Sequence, residues 1–309
     1  MNVRRTSLLL IAATAGAVLC AACSAESIIK MPPAQMMAVA PEASKTPPSP
    51  AVSSAETRLT AFEDKLAALS TSQPGVIPAA VKAYKSLFSA RDPVGLRDEA
   101  LVGLMDFTDG VVKTLQEQDV LGAMPVSDKT MAEARAEYEP QGLAVETSEG
   151  MAYVIANPAW LRKQLQGAIT PAWDQYLALR AHDAKAQFAE DGAIAVPWEE
   201  LRTRYLAWEG FLKTYPAFPM ADEARDTKKA YLMHYLVGMN NTPIDDWETH
   251  KLRAEVKTSY EKFIANNKQS AAYPLVRDFY QLLKDSRFTV GNATHAFLVT
   301  KQIVPPEEP

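Results

Sequence analysis

The chain has 309 residues, a mass of 33.9 kDa, a formal charge of −5 and a pI near 5.5. Its 48% hydrophobic and 22% charged residues are the proportions of a folded domain, which excludes a wholly disordered chain, a collagen and a polytopic membrane protein. The acidic balance speaks against nucleic acid as a partner, and the two cysteines, Cys20 and Cys23, leave no thiol in the body for a disulfide framework, a metal site or a nucleophile.

Residues 1–22 read as a signal peptide. Arg4 and Arg5 precede an apolar run, Ser7 to Val18. That run is too short for a spanning helix of about 20 residues. It ends in Leu19-Cys20-Ala21-Ala22-Cys23. The ending resembles the lipobox of bacterial lipoprotein signals, although Cys20 stands where that pattern usually has leucine and Leu19 lies one residue further back. The resemblance implies diacylglycerol on the Cys23 thiol, cleavage before it, and attachment by acyl chains without a spanning segment. Ser24 stands where an aspartate would imply the inner membrane, so the expected address is the periplasmic side of the outer membrane. The alternative is plain export, with cleavage near Ala25 and a secreted or soluble periplasmic product. Loss of Arg4 and Arg5 with the leader takes the charge from −5 to −7.

Residues 23–54 form a Pro/Ala/Ser-rich tether, with Pro32, Pro33, Pro41, Pro47, Pro48 and Pro50 disfavouring regular structure. Residues 55–140 read as helical. Leu59, Phe62, Leu66 and Leu69 share one helix face; Val81, Tyr84 and Phe88 repeat the spacing after Pro78. Leu96, Leu101, Leu104, Val111 and Leu115 mark a longer helix entered near Asp92-Pro93. A fourth runs from an N-cap at Ser127 to Tyr138, stopped by Pro140 and Gly142. A β-hairpin over 141–157 follows. Leu143, Val145 and Thr147 alternate before Ser148-Glu149-Gly150, and Met151, Tyr153 and Ile155 alternate after it.

Residues 158–287 read as a helical repeat region. Asn157-Pro158-Ala159-Trp160 and Thr170-Pro171-Ala172-Trp173 each place a capping residue before a proline at the first helical position, and Trp160 and Trp173 are expected to face the core. Trp208-Glu209-Gly210-Phe211-Leu212 then recurs as Tyr260-Glu261-Lys262-Phe263-Ile264, and a break and a second helix follow each copy. This wording, with Tyr215-Pro216 after the first copy, resembles the tetratricopeptide-like repeats of bacterial envelope lipoproteins and periplasmic coordinators. The offset of 52 exceeds their usual period of about 34, with the excess assigned to the loop Asn240 to Trp247. The resemblance implies a protein-binding scaffold without catalytic residues. Residues 288–309 read as an extended tail, with Phe297-Leu298-Val299 as a short strand or packed segment. The expected fold is therefore mainly α: helical hairpins stacked as a short solenoid-like or bundle body, with one small β-hairpin near the middle.

No nucleophile elbow, phosphate-binding glycine loop or His-Glu-x-x-His pair occurs. His182 and Asp183 read as a partly exposed pair on different sides of a helix, and His234 as a buried, hydrogen-bonded histidine. Asp245-Asp246-Trp247-Glu248-Thr249-His250, Glu190-Asp191 and Glu199-Glu200 read as acidic clusters at helix starts, where carboxylates meet the positive end of the helix dipole; the alternative for the first, were it a loop, is oxygen ligation of calcium, although it lacks the Asp-x-Asp-x-Asp-Gly spacing. The expected role is a non-enzymatic envelope lipoprotein that uses no cofactor or metal and binds another envelope protein. The alternatives are a small-ligand binder with a groove lined by Trp173, Trp198, Trp208 and Trp247, and a cell-wall-acting hydrolase or lyase.

Overall fold

Local signals place most helix starts. The computed structural model describes residues 50–306, apart from residue 123. The leader, Cys23 and the tether up to Ser49 lie outside the described residues. Helix α1 (Pro50–Ala67) opens inside the stretch read as tether. A proline at the first helical position removes no hydrogen bond there, so Pro50 suits a helix start. α1 packs with α2 (Val76–Leu87) and α3 (Val94–Glu117). Their apolar faces bury Phe62, Ile77, Tyr84, Leu101, Leu104 and Val111. The rings of Phe62, Tyr84 and Phe88 meet with centroids 5.2 to 6.0 Å apart.

Ser127 caps α4 (Asp128–Tyr138). Its hydroxyl accepts the Thr130 N–H at 3.3 Å, and the Thr130 hydroxyl accepts the Ser127 N–H at 3.1 Å. This is a capping box with threonine in the usual Glu or Gln place. A 3₁₀ turn (Glu139–Gln141) leads into strands β1 (Leu143–Ser148) and β2 (Met151–Ala156). Glu149 and Gly150, at φ 52° and 77°, form the two-residue turn. That turn pairs Val145 with Val154 and Thr147 with Ala152. Residues directly opposite one another share a sheet face, so Ala152 and Val154 go into the core with Val145. Met151 is exposed, and Tyr153 and Ile155 are only partly buried, despite being the bulkier alternating set.

Asn157 and Thr170 cap α5 (Pro158–Leu165) and α6 (Pro171–Lys185) by accepting the Trp160 and Trp173 N–H groups. Arg162 grips Asp174 through two 2.8 Å bonds and clamps the two helices together. Two hairpins appear that the sequence reading did not contain. β3 (Ala189–Glu190) pairs with β4 (Ala193–Ile194), and β5 (Gly238–Met239) with β6 (Thr242–Pro243). Glu190-Asp191 therefore enters a hairpin turn, not a helix. Two-residue strands carry no periodicity to read.

α7 (Trp198–Thr214) and α8 (Ala221–Val237) form one helical hairpin; α9 (Ala254–Asn266) and α10 (Tyr273–Asp285) form the next. α7 packs on both α8 and α9. Trp208 and Phe211 of α7, and Tyr260 and Phe263 of α9, are buried at corresponding places. Glu199 and Glu200 lie in the first turn of α7, as expected. The tail is not extended: α11 (Asn292–Thr300) occupies it. The Thr294 hydroxyl accepts the Gly291 N–H at 2.9 Å, Leu298 is buried, and Phe297 stacks on Phe279 at 5.7 Å.

The architecture is mainly helical with small antiparallel hairpins. From Pro50 onward it forms one compact unit. The stretch 140–157 is not an open seam: β2 packs on α3, and the Gln116 amide donates to the Val154 carbonyl at 2.7 Å. No described helix is long and apolar enough to cross a membrane.

Candidate functional site

The four tryptophans grouped from the sequence do not line a groove. Trp173, Trp198 and Trp208 are buried, whereas Trp247 is 67% exposed. Each buried indole N–H has an internal acceptor. Trp173 Nε1 donates to Asp98 Oδ1 at 2.9 Å, Trp198 Nε1 to the Tyr235 carbonyl at 3.0 Å, and Trp208 Nε1 to Asp183 Oδ2 at 2.8 Å. A buried indole needs such a partner, and satisfying it locks the ring in place. Trp173, Tyr176, Trp208, Phe211 and Phe218 then interlock with centroids 4.8 to 6.1 Å apart. This is core, and it removes the aromatic-groove reading.

The densest polar cluster lies where α6, α7 and α8 meet. Its centre is Arg204, whose side chain is 2% exposed. Arg204 stands on the apolar stripe of α7, between Leu201, Tyr205 and Trp208. Its Nε donates to Glu200 at 2.8 Å, Nη2 to the Ala186 carbonyl at 2.9 Å, and Nη1 to the Asp183 carbonyl and the Tyr231 hydroxyl at 3.3 and 3.4 Å. Burial pushes the Asp183 carboxyl above the ordinary aspartate value, against the pull of the Trp208 N–H and the Arg204 charge. Burial likewise raises the Tyr231 hydroxyl. His182 stays half exposed, 3.7 Å from Asp183 and 3.6 Å from Glu200. The His182-Asp183 pair is therefore split. The histidine is at the surface, and the aspartate is drawn inside by Trp208 and Arg204. Sequence reading missed Arg204; the signal was a lone cation at a core position of an amphipathic helix.

Asp98 repeats this logic on a smaller scale. Burial raises its carboxyl, and the Trp173 N–H and the Arg97 charge oppose that. His234 is half-buried, with Nδ1 3.3 Å from the Gly238 carbonyl; burial lowers its proton affinity.

The segment Asp245 to His250 is a loop, not a helix start; α9 begins at Ala254. Asp246 Oδ1 accepts the Glu248 and Thr249 N–H groups and the Thr249 hydroxyl at 3.2, 2.9 and 2.8 Å. Those bonds hold its carboxyl below the usual range, led by the Thr249 N–H. His250 Nδ1 lies 3.3 Å from Asp245 Oδ2. No group of three or more His, Cys, Asp or Glu placed to hold a metal ion occurs among the described residues. Cys23, the expected lipidation site, lies outside them. Comparison with family models, curated proteins and solved structures returns no match.

Proposed function

We propose that the chain is a non-enzymatic lipoprotein of the bacterial cell envelope. Cys23 carries the lipid, residues up to 49 tether the body that begins with α1, and the helical body binds another envelope protein on the periplasmic side of the outer membrane. The observation that carries this reading is the order of the first 23 residues: Arg4-Arg5, the short apolar run, then Leu19-Cys20-Ala21-Ala22-Cys23. A short apolar core followed by small residues and a cysteine suits export, cleavage and thiol acylation, and acyl chains hold a folded domain at a bilayer without crossing it. The scaffold part is supported by the helical hairpins and by the internal use of the buried polar groups. Asp98 and Asp183 accept from the buried indoles of α6 and α7, and Arg204 bonds to Glu200 on its own helix and to the Asp183 carbonyl of α6.

The test is mass spectrometry of the mature N-terminus from envelope fractions, with metabolic labelling by palmitate. The expected species begins at Cys23 with attached acyl chains, and Cys23→Ser loses both the label and membrane retention. A mature chain that starts elsewhere and carries no lipid removes the anchor. Release of soluble fragments from peptidoglycan by the purified protein removes the non-enzymatic part.

A further inference from the structure

One large apolar side chain stands apart from the core on a braced support. Trp247 is 67% exposed, and its indole N–H makes no hydrogen bond among the described residues. The loop beneath it is tied at several points. The Asp246 N–H donates to the Lys251 carbonyl and the His250 N–H to the Asp246 carbonyl, both at 2.9 Å. The Val290 N–H donates to the His250 carbonyl at 2.9 Å and the Leu252 N–H to the Phe288 carbonyl at 2.8 Å, which pins the loop to the segment after α10. Together with the Asp246 turn, these bonds hold the backbone carrying Trp247 in one conformation. A rigid aromatic on a fixed loop gives up little conformational entropy when a partner covers it, which is the character of an interface anchor.

The charges around the ring select the partner. Asp246 and Glu248 flank it in sequence and both are exposed. The two cations of the loop are otherwise engaged. Lys251 Nζ turns back onto the Arg287 carbonyl at 3.0 Å and the Thr289 hydroxyl at 2.5 Å, and Arg253 lies 3.7 Å from Glu255. Glu248 forms no ion pair among the described residues. An indole face attracts a cation through its quadrupole, and adjacent carboxylates add to that attraction. The same carboxylates repel an anionic lipid surface. The charge of −7 left once the leader and its Arg4 and Arg5 are removed favours the approach of a basic segment and opposes that of an acidic one.

We propose that Trp247, between Asp246 and Glu248, receives a lysine- or arginine-bearing segment of the partner protein. The inference rests on the protein-binding reading given above. The direct test uses the full chain in detergent and a labelled ten-residue peptide alternating Arg and Ser, followed by fluorescence anisotropy. The wild type binds this peptide, and binding weakens with salt. Trp247→Ala weakens it about tenfold, Trp247→Phe by less, and Glu248→Lys by several-fold. Circular dichroism of each variant checks that the exposed substitution leaves the fold intact. No binding by the wild type, or equal binding by Trp247→Ala, overturns the inference. So does Trp247-dependent binding to phosphatidylethanolamine–phosphatidylglycerol vesicles without peptide binding, which makes the ring a lipid contact. A photocrosslinker placed in cells at the exposed position 248, beside the retained Trp247 ring, and separately at the exposed Val94 and Met151, distinguishes the protein-binding reading from the inference. An adduct at 248 whose partner segment carries Lys or Arg supports the inference. Adducts from 94 or 151 and none from 248 remove it and leave the scaffold reading in place; none from any position removes both.

Discussion

Arg204 of α7 and Asp183 of α6 show how the contact between two helices carries both core and charge. Burying a guanidinium is costly unless its donors are filled, and here Glu200, Tyr231 and two carbonyls fill them. Asp183 takes the Trp208 N–H and lies 3.8 Å from Arg204, yet burial dominates and its carboxyl is raised above the ordinary aspartate value of 3.8. The direction has a consequence for stability. A carboxyl raised by folding binds its proton more tightly in the folded state than in the unfolded one. Its ionised form therefore destabilises the fold above the folded pKa, and that destabilisation disappears as pH falls through the folded pKa to below the unfolded one. Asp183→Asn keeps an acceptor for Trp208 and cannot titrate. The stability of the wild type relative to this variant should accordingly increase as pH falls from 7 to about 4. Urea denaturation of both proteins across that range measures it. A difference that is flat, or that shrinks toward acid, would mean the Arg204 charge outweighs burial at this carboxyl.

At the scale of elements, Gly238 is the position where backbone geometry is most demanding. It ends α8 and opens β5 at φ 81° and ψ −155°, a combination open almost only to glycine. A Cβ there would overlap the Thr242 carbonyl oxygen and come within 2.9 Å of Pro243 Cα, both rigid backbone. Gly150, in the β1–β2 turn, has a similar φ of 77° but open space around a Cβ. Gly150→Ala should thus cost about 1 kcal/mol, from conformation alone. Gly238→Ala should cost about 3 kcal/mol or more, because the β5–β6 turn must move as well. Thermal midpoints of the two variants read this contrast, and equal losses would show that the turn after α8 yields easily. The same elements mark how far the sequence could be read. Helices started by Ser127, Asn157 and Thr170 were legible, because a cap and its N–H partner lie within three residues. β3 to β6 were not, being too short for alternation. α11 is not legible either, because Phe297-Leu298-Val299 is a β-favouring run. Its helix depends on the Gly291–Thr294 cap and on Phe279, which comes from another helix. What holds the buried tryptophans in place is not legible, for the same reason on a longer scale. Asp98 and Asp183, which hold Trp173 and Trp208 inside, lie 75 and 25 residues away. The exposure of Trp247, by contrast, fits its place in a polar run.

Across the whole body, Trp173 ties the first helices to the later ones through both its ring and its N–H. It is fully buried on α6, donates to Asp98 of α3, and packs edge-on against Tyr176 and Phe218 at 5.7 and 4.8 Å. Its ring and its N–H thus connect the α1–α3 bundle to the α7–α8 hairpin through one residue. If the described body unfolds as one unit, weakening this tie must lower the stability of elements remote from it on both sides. Trp173→Phe retains an aromatic ring but leaves a void and takes the indole donor from a carboxyl that burial already disfavours. A loss of about 2–4 kcal/mol is expected. Hydrogen exchange followed by mass spectrometry tests how that loss spreads. The slowest amides of α2, around Ile77 and Tyr84, and those of α9, around Tyr260, should lose protection by the same free energy, because each opens only with the whole. Loss confined to α2 and α3, with α9 unchanged, would instead divide the body into two cooperative units that meet at Trp173.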